Sequence, residues 1–173
     1  IVTNEGPVLE LRTIPNIAPT LADLNMPVAC RALLMDAELL NGGLFLVCAT
    51  NGQGKTTTCS ATVASRLRAF AGICCTIEDP PELPIAGWHH KGRCYQIPAD
   101  TDNVDSPGSG YAKALLKSLR FFATMPNGGS ILFVGEVRDP LTAAETLLAA
   151  ANGHLVLATI HAHSITCLLY TSP

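Results

Sequence analysis

At 173 residues, 48% apolar and only 14% charged, the chain is long enough for one domain with a buried core and too hydrophobic for a disordered segment. Its formal net charge of −3 gives no basic face for direct nucleic-acid readout or for attraction to acidic lipid. No apolar run approaches the roughly 18 residues that span a bilayer and no charged-then-apolar leader opens the sequence, so a soluble protein is expected, one still able to dock on a membrane complex.

Residues 1–27, punctuated by Pro7, Pro15, Pro19 and Pro27, read as an extended linker carrying one short strand at 8–12. Helical spacing follows over 29–40 and stops at Asn41-Gly42-Gly43, a C-cap signal. A short, continuous apolar strand is predicted at 44–48, then a small polar loop, then a helix over about 55–69. "GICCTI" at 72–77 is a second buried strand that runs straight into Glu78-Asp79-Pro80. The stretch 81–98 is irregular, holds the only tryptophan, Trp88, and has room for a hairpin. Residues 99–110 ("ADTDNVDSPGSG") form a polar, exposed loop.

A helix is predicted at 111–123 and a third buried strand at 131–134. Asp139-Pro140 begins the next helix with a capping carboxylate and a proline at the first position. That helix runs to Ala151, stops at Asn152-Gly153, and yields a fourth strand at 154–160. Short apolar strands alternating with helices predict an α/β fold, a mostly parallel sheet with helices on both faces. No internal repeat is present. The seven cysteines show no CxxC spacing, and Cys48, Cys74 and Cys75 lie inside apolar runs, as buried thiols in a reducing compartment do. His89-His90 and His161-x-His163 lack a partnering cysteine or carboxylate pattern, so metal binding is not expected there.

The stretch "ATNGQGKT" at 49–56 matches [AG]-x-x-x-x-G-K-[ST] and lies between a predicted strand and a predicted helix, the context a phosphate-binding loop requires. Phosphate oxygens need several convergent backbone N–H donors, and Gly52 and Gly54 permit the turn that supplies them. The helix beginning near Lys55 adds its unpaired amides and the positive end of its dipole. Asn51, Gly52, Gln53, Gly54, Lys55, Thr56 and Thr57 are therefore the candidate nucleotide-binding residues. Lys55 would reach the β- and γ-phosphates, and the Thr56 hydroxyl would hold Mg²⁺. Ala49 stands at the strand exit, where a methyl is accommodated.

Three further segments narrow the reading: "TIEDPPE" at 76–82, "ILFVGEVRDP" at 131–140 and "GHLVLATIHA" at 153–162. In a parallel sheet the C-terminal strand edges line one crevice, which would bring Glu78, Glu136 and His161 to the phosphate loop. Glu136 is the candidate for polarising an attacking water, and Glu78 for positioning Mg²⁺ or its waters. Together the motifs resemble the secretion ATPase superfamily of type II and type IV secretion systems and type IV pilus motors, from "LRTIPNIAPTLADLNMP" to "TIHAHS". The opening segment is similar to the interdomain linker of the pilus retraction branch and of related conjugation ATPases.

The resemblance implies a RecA-like P-loop NTPase core over 28–166 preceded by an interdomain linker at 1–27. It implies that 49–56 is the Walker A loop, that Glu78 and Asp79 belong to an acidic box, and that Gly135-Glu136 is the Walker B segment. His154 and His161 match a histidine box. From the residues themselves, His161 is a candidate for sensing the γ-phosphate or a neighbouring subunit, His154 for a structural role at the start of its strand, and Arg138 for holding a carboxylate or contacting a neighbouring subunit. The resemblance further implies ATP and Mg²⁺ as cofactors, a homo-hexamer, and work with inner-membrane platform proteins from the cytoplasmic side. A catalytically weak nucleotide-binding subunit or scaffold of the same machinery is the alternative. A GTPase switch is disfavoured because no N/T-K-x-D segment occurs.

The arginine region before Walker B departs from the family pattern: Arg120 stands in "KSLRFFATMPNGGS", beside Lys117, with longer spacing to Glu136. The tail at 167–173 resembles sequencing-adaptor read-through and is expected to be non-native, in a chain expected to be a fragment.

Overall fold

The computed structural model describes residues 2–3, 6–7, 13, 15–99, 109–122, 129–162 and 164. The strands β1 (Val2–Thr3) and β2 (Gly6–Pro7) pair antiparallel in a sheet of their own, and the strand expected at 8–12 lies outside the described residues. The main sheet contains β3 (Gly43–Ala49), β4 (Gly72–Glu78), β5 (Gly87–His89), β6 (Gly92–Pro98), β7 (Ser130–Val134) and β8 (Leu155–His161). Its order is β3-β8-β7-β4-β6-β5, and every pairing is parallel except that of β5 with β6. The helices are α1 (Val28–Leu34), α2 (Lys55–Phe70), α3 (Ser109–Phe122) and α4 (Pro140–Ala151).

The central strands are apolar on both faces because both faces are covered. Alternate residues feed two cores. Cys74, Ile131, Phe133, Leu155 and Leu157 pack against Cys59, Val63 and Leu67, which recur every fourth residue along α2. Their neighbours Cys75, Ile77, Leu132, Val134, Val156 and Ala158 meet Tyr111, Ala114, Leu115 and Phe122 of α3 and Ala149 of α4. Burial pushes the Cys59 thiol up to about 12 and the Cys75 thiol up to about 11, so neither is a nucleophile in the folded state.

The segment before α1 also packs inward. Leu21 and Leu34 are buried with Ala61 on the outer side of α2, and the Leu21 amide donates to Ser65 Oγ at 2.9 Å.

Two expectations need correction. The helix read over 29–40 is broken: α1 stops at Leu34, and a 3₁₀ turn occupies Ala37–Asn41. Asp36 is extended and its side chain accepts from the Glu38 amide at 3.0 Å, a local bond that competes with helix continuation. Arg66, buried on α2, donates through Nη1 to the carbonyls of Leu34 and Asp36, both at 2.9 Å, and fixes the break. The stretch 81–98 does hold a hairpin, and its second arm is a full seven-residue parallel strand beside β4, which raises the strand count of the main sheet from four to six. Residues 100–108 of the polar loop lie outside the described residues.

Candidate functional site

Register decides what meets at the C-terminal edge of the sheet. Ala49 pairs with His161, Val134 with Ala158, and Ile77 with Val134. The residues that follow β3, β7 and β4, together with the end of β8, therefore converge there. They line a cavity of about 530 Å³, within the size range of small-molecule sites.

On one side is the loop between β3 and α2. Gly52 and Gly54 have φ of +74° and +79°, and an added Cβ at either would meet nothing within 4 Å. Glycine is needed there for backbone conformation, not for space. Gly54 is the N-cap of α2, and no side chain caps that helix. The first rung of the helix runs from the Thr58 amide to Gly54 O at 2.9 Å, which leaves the amides before it without intrahelical acceptors. Asn51, Gly52, Gly54, Lys55, Thr56 and Thr57 line the cavity, and Gln53 is exposed beside it. Lys55 is buried, and its Nζ donates to Ala49 O at 3.1 Å and Thr50 O at 2.9 Å and lies 3.4 Å from His161 Nδ1.

On the other side are the acidic groups. Glu78 is 2% exposed; its Oε1 accepts from Thr76 Oγ1 at 2.6 Å and Gln96 Nε2 at 3.1 Å. Gly135 makes room for it, since a Cβ there would lie 3.0 Å from Ile77 O and 3.1 Å from Glu78 Cγ. The Gly135–Val137 backbone is stitched on two sides. Gly135 N donates to Ile77 O at 2.8 Å, Val137 N donates to Thr159 O at 2.9 Å, and Thr159 Oγ1 donates to Gly135 O at 2.5 Å. Glu136 is thus presented from a fixed main chain, with Oε1 2.8 Å from His161 Nε2 and Oε2 paired with Arg138. The hydrogen bond to Glu136 holds the Arg138 guanidinium above its ordinary value.

Most of the sequence-derived residues meet in this cavity, Asp79, Glu136, Arg138 and His161 among them. His154 does not. It precedes β8 at the opposite edge of the sheet, roughly 20 Å away at about 3.3 Å per residue. There its Nδ1 is 2.7 Å from Ser130 Oγ, its ring rests on Phe122, and burial lowers its pKa below 6.5. Arg120, on α3, is not among the residues lining the cavity.

Sequence reasoning missed Gln96, Thr159 and Tyr111. Gln96 holds Glu78, donates to Leu83 O at 2.9 Å, and accepts from the Ala86 amide at 3.0 Å, tying the acidic turn to β6. No local signal marked it, because its place follows from the pairing of β6 with β4. Tyr111 lines the cavity with its hydroxyl pushed up to about 12, first by burial and then by the carboxylates of Asp79, Glu136 and Glu78, while Arg138 opposes the shift.

The donor set fits a polyphosphate: open amides, a buried lysine, and a threonine hydroxyl beside it. Among the described residues no group of three or more His, Cys, Asp or Glu is arranged to hold a metal, so Mg²⁺ at Thr56 would draw most of its ligands from phosphates and water.

Comparison with known proteins gives the family and the fold. The family described as "Type II/IV secretion system protein" matches residues 3–170. A twitching motility protein of Neisseria gonorrhoeae is 30% identical over 159 residues, covering 92% of this chain and 38% of the relative. The type II secretion system protein HxcR of Pseudomonas aeruginosa is 37% identical over 119 residues, covering 69% of this chain and 22% of the relative. A crystal structure of the pilus retraction motor PilT with bound ADP superposes with a TM-score of 0.68 at 30% identity, covering 87% of this chain and 39% of that one. The chain thus spans well under half the length of the relatives it matches.

Proposed function

Because the chain belongs to the type II/IV secretion system protein family, we propose that it is the nucleotide-hydrolysing core of a motor that converts ATP to ADP and phosphate. The observation that carries this reading is the uncapped start of α2, whose open amides and Lys55 face Glu136 across one cavity. The ADP-bound relative supports it.

The roles follow from the geometry. The amides from Asn51 to Thr57 and the Lys55 ammonium bind the phosphates, where hydrogen bonds to ionised oxygens are at their strongest. The Thr56 hydroxyl would hold Mg²⁺, which would supply positive charge to offset that developing on the phosphate oxygens. Glu78, fixed by Thr76 and Gln96, would position Mg²⁺ or its waters. Glu136 orients the attacking water and receives its proton, with Arg138 beside it. Asp79 and Tyr111 close the acidic wall.

As a motor of this family the protein works as a homo-hexamer against inner-membrane platform proteins, from the cytoplasmic face. Among the described residues no helix is long and apolar enough to cross a membrane. The machine driven is one of retraction, assembly, secretion or conjugation; the matched relatives include a twitching motility protein, a pilus assembly ATPase and a type II secretion protein.

The test separates binding from chemistry. Lys55→Ala is expected to weaken binding of a fluorescent ATP analogue by about 10²-fold or more, the loss of charge-assisted bonds worth roughly 1.5–3 kcal/mol each. Glu136→Gln is expected to bind like the wild type while phosphate release falls about 10²–10⁴-fold. Wild-type turnover by Glu136→Gln would remove Glu136 from the mechanism. Completion by a neighbouring subunit is worth on the order of 10³–10⁵ in rate, so turnover per chain is expected to rise steeply with protein concentration; a flat dependence would argue against the ring.

A further inference from the structure

The carboxylate assigned to the attacking water is held on both of its oxygens. Oε1 of Glu136 accepts from His161 Nε2 at 2.8 Å, and Oε2 is paired with Arg138. The other ring nitrogen of His161 faces Lys55 Nζ at 3.4 Å, and the same ammonium donates to Ala49 O and Thr50 O. An ammonium carries three protons and no lone pair, so these three acceptors use its full capacity. Nδ1 of His161 must therefore accept, which leaves the ring proton on Nε2, aimed at Glu136. One side of the ring reads the lysine and the other side sets the glutamate.

The main chain fixes both ends of this link. Ala49 and His161 are register partners, and Thr159, two residues before His161, is bonded to both Gly135 and Val137. A phosphate entering the loop requires Lys55 for itself, because an ionised oxygen outcompetes a carbonyl or a ring nitrogen for an ammonium. Nδ1 then loses its donor, and the arrangement that ties Nε2–H to Glu136 loses its anchor.

We propose that His161 is a positioning residue that keeps Glu136 latched until Lys55 is drawn onto a phosphate, so that water is oriented only over a filled loop. The proposal rests on the nucleotide reading above and supplies the route by which loop occupancy reaches the glutamate.

The test reads the ring itself. In the full chain labelled with ¹⁵N-histidine, ¹⁵N–¹H correlation reports the state of both His161 nitrogens, assigned by their disappearance in His161→Gln. The nucleotide-free protein is expected to show Nδ1 as acceptor and Nε2 protonated, and saturation with Mg²⁺ and the non-hydrolysable analogue AMP-PNP is expected to move both resonances. Lys55→Met, which keeps the buried alkyl chain and removes the donor, is expected to move Nδ1 in the same direction without nucleotide. If AMP-PNP binds by calorimetry and the His161 resonances stay in place, the latch is wrong and the nucleotide reading stands. If AMP-PNP does not bind, both fall. A Lys55→Met protein with a wild-type fold and an unmoved Nδ1 overturns the latch independently.

Discussion

The connection after β3 and the connection after β7 leave the same edge of the sheet and face each other across the cavity, yet only one starts its helix with a side-chain cap. After β7, Asp139 accepts from the Thr142 amide at 2.9 Å and from Thr142 Oγ1 at 2.6 Å, and Pro140 at the first position has no amide to satisfy. After β3, Gly54 takes the cap position in a left-handed conformation and offers no side chain at all. A cap is worth typically about 1 kcal/mol, so α2 gives up stability that α4 keeps. In return α2 presents free amides, whereas the α4 connection, with its helix start already closed, contributes Glu136 and Arg138 as side chains. The same strand–turn–helix unit thus yields a donor surface for anions in one place and an acidic wall in the other.

Filling the open start should have the largest effect. Gly54→Ala forces a side chain into φ +79°, costing on the order of 1–3 kcal/mol, and the loop can relieve that strain only by losing its amide geometry. Binding of a fluorescent nucleotide is expected to weaken by about 10-fold or more, beyond any drop in melting temperature. Next comes crowding the acidic side. Gly135→Ala presses a methyl against Ile77 O and Glu78, an overpacking cost of about 1–3 kcal/mol. Thermal unfolding should occur several degrees lower while nucleotide affinity changes less than in Gly54→Ala. Opening the closed start is milder: Asp139→Ala is expected to cost about 1 kcal/mol, roughly 2–4 °C in midpoint for a chain of this size, with nucleotide affinity retained.

The smallest effect lies far from both connections. Burial lowers the His154 pKa from 6.5, so the unfolded chain takes up this proton first. The contribution is therefore fully present above 6.5 and is lost as pH falls through the interval just below it, until the folded-state value is passed. Urea midpoints measured across that interval should decline in the wild type and flatten in His154→Gln.

Features coded by neighbouring residues were legible in the sequence. The α4 start follows from Asp139-Pro140 alone, and the glycine turn before the uncapped α2 from residues 49–56 between an apolar run and a helical one. Strands 44–48, 72–77, 131–134 and 154–160 were each placed within a residue or so of their ends, because central strands of a covered parallel sheet are uninterrupted apolar runs. What stayed hidden depends on partners distant in sequence. β6 reads "GRCYQIP", too polar to announce a strand, and it is one because it pairs along its whole length with β4. The break after Leu34 is held by Arg66, 32 residues away. Gln96 and Tyr111 reach the acidic side through sheet register and helix packing, which no local pattern encodes.

Among the described residues β3 bonds to the sheet on one side only, through seven register pairs to β8. The phosphate loop therefore hangs from a single ladder whose last rung joins Ala49 to His161. Sliding β3 along β8 by even a fraction of its spacing would carry the loop and Lys55 away from His161 and Glu136, which stay together because Thr159 of β8 is bonded to Gly135 and Val137. Load borne by β3 would thus be felt as shear between two neighbouring strands, across the gap where the proposed mechanism aligns phosphate and water.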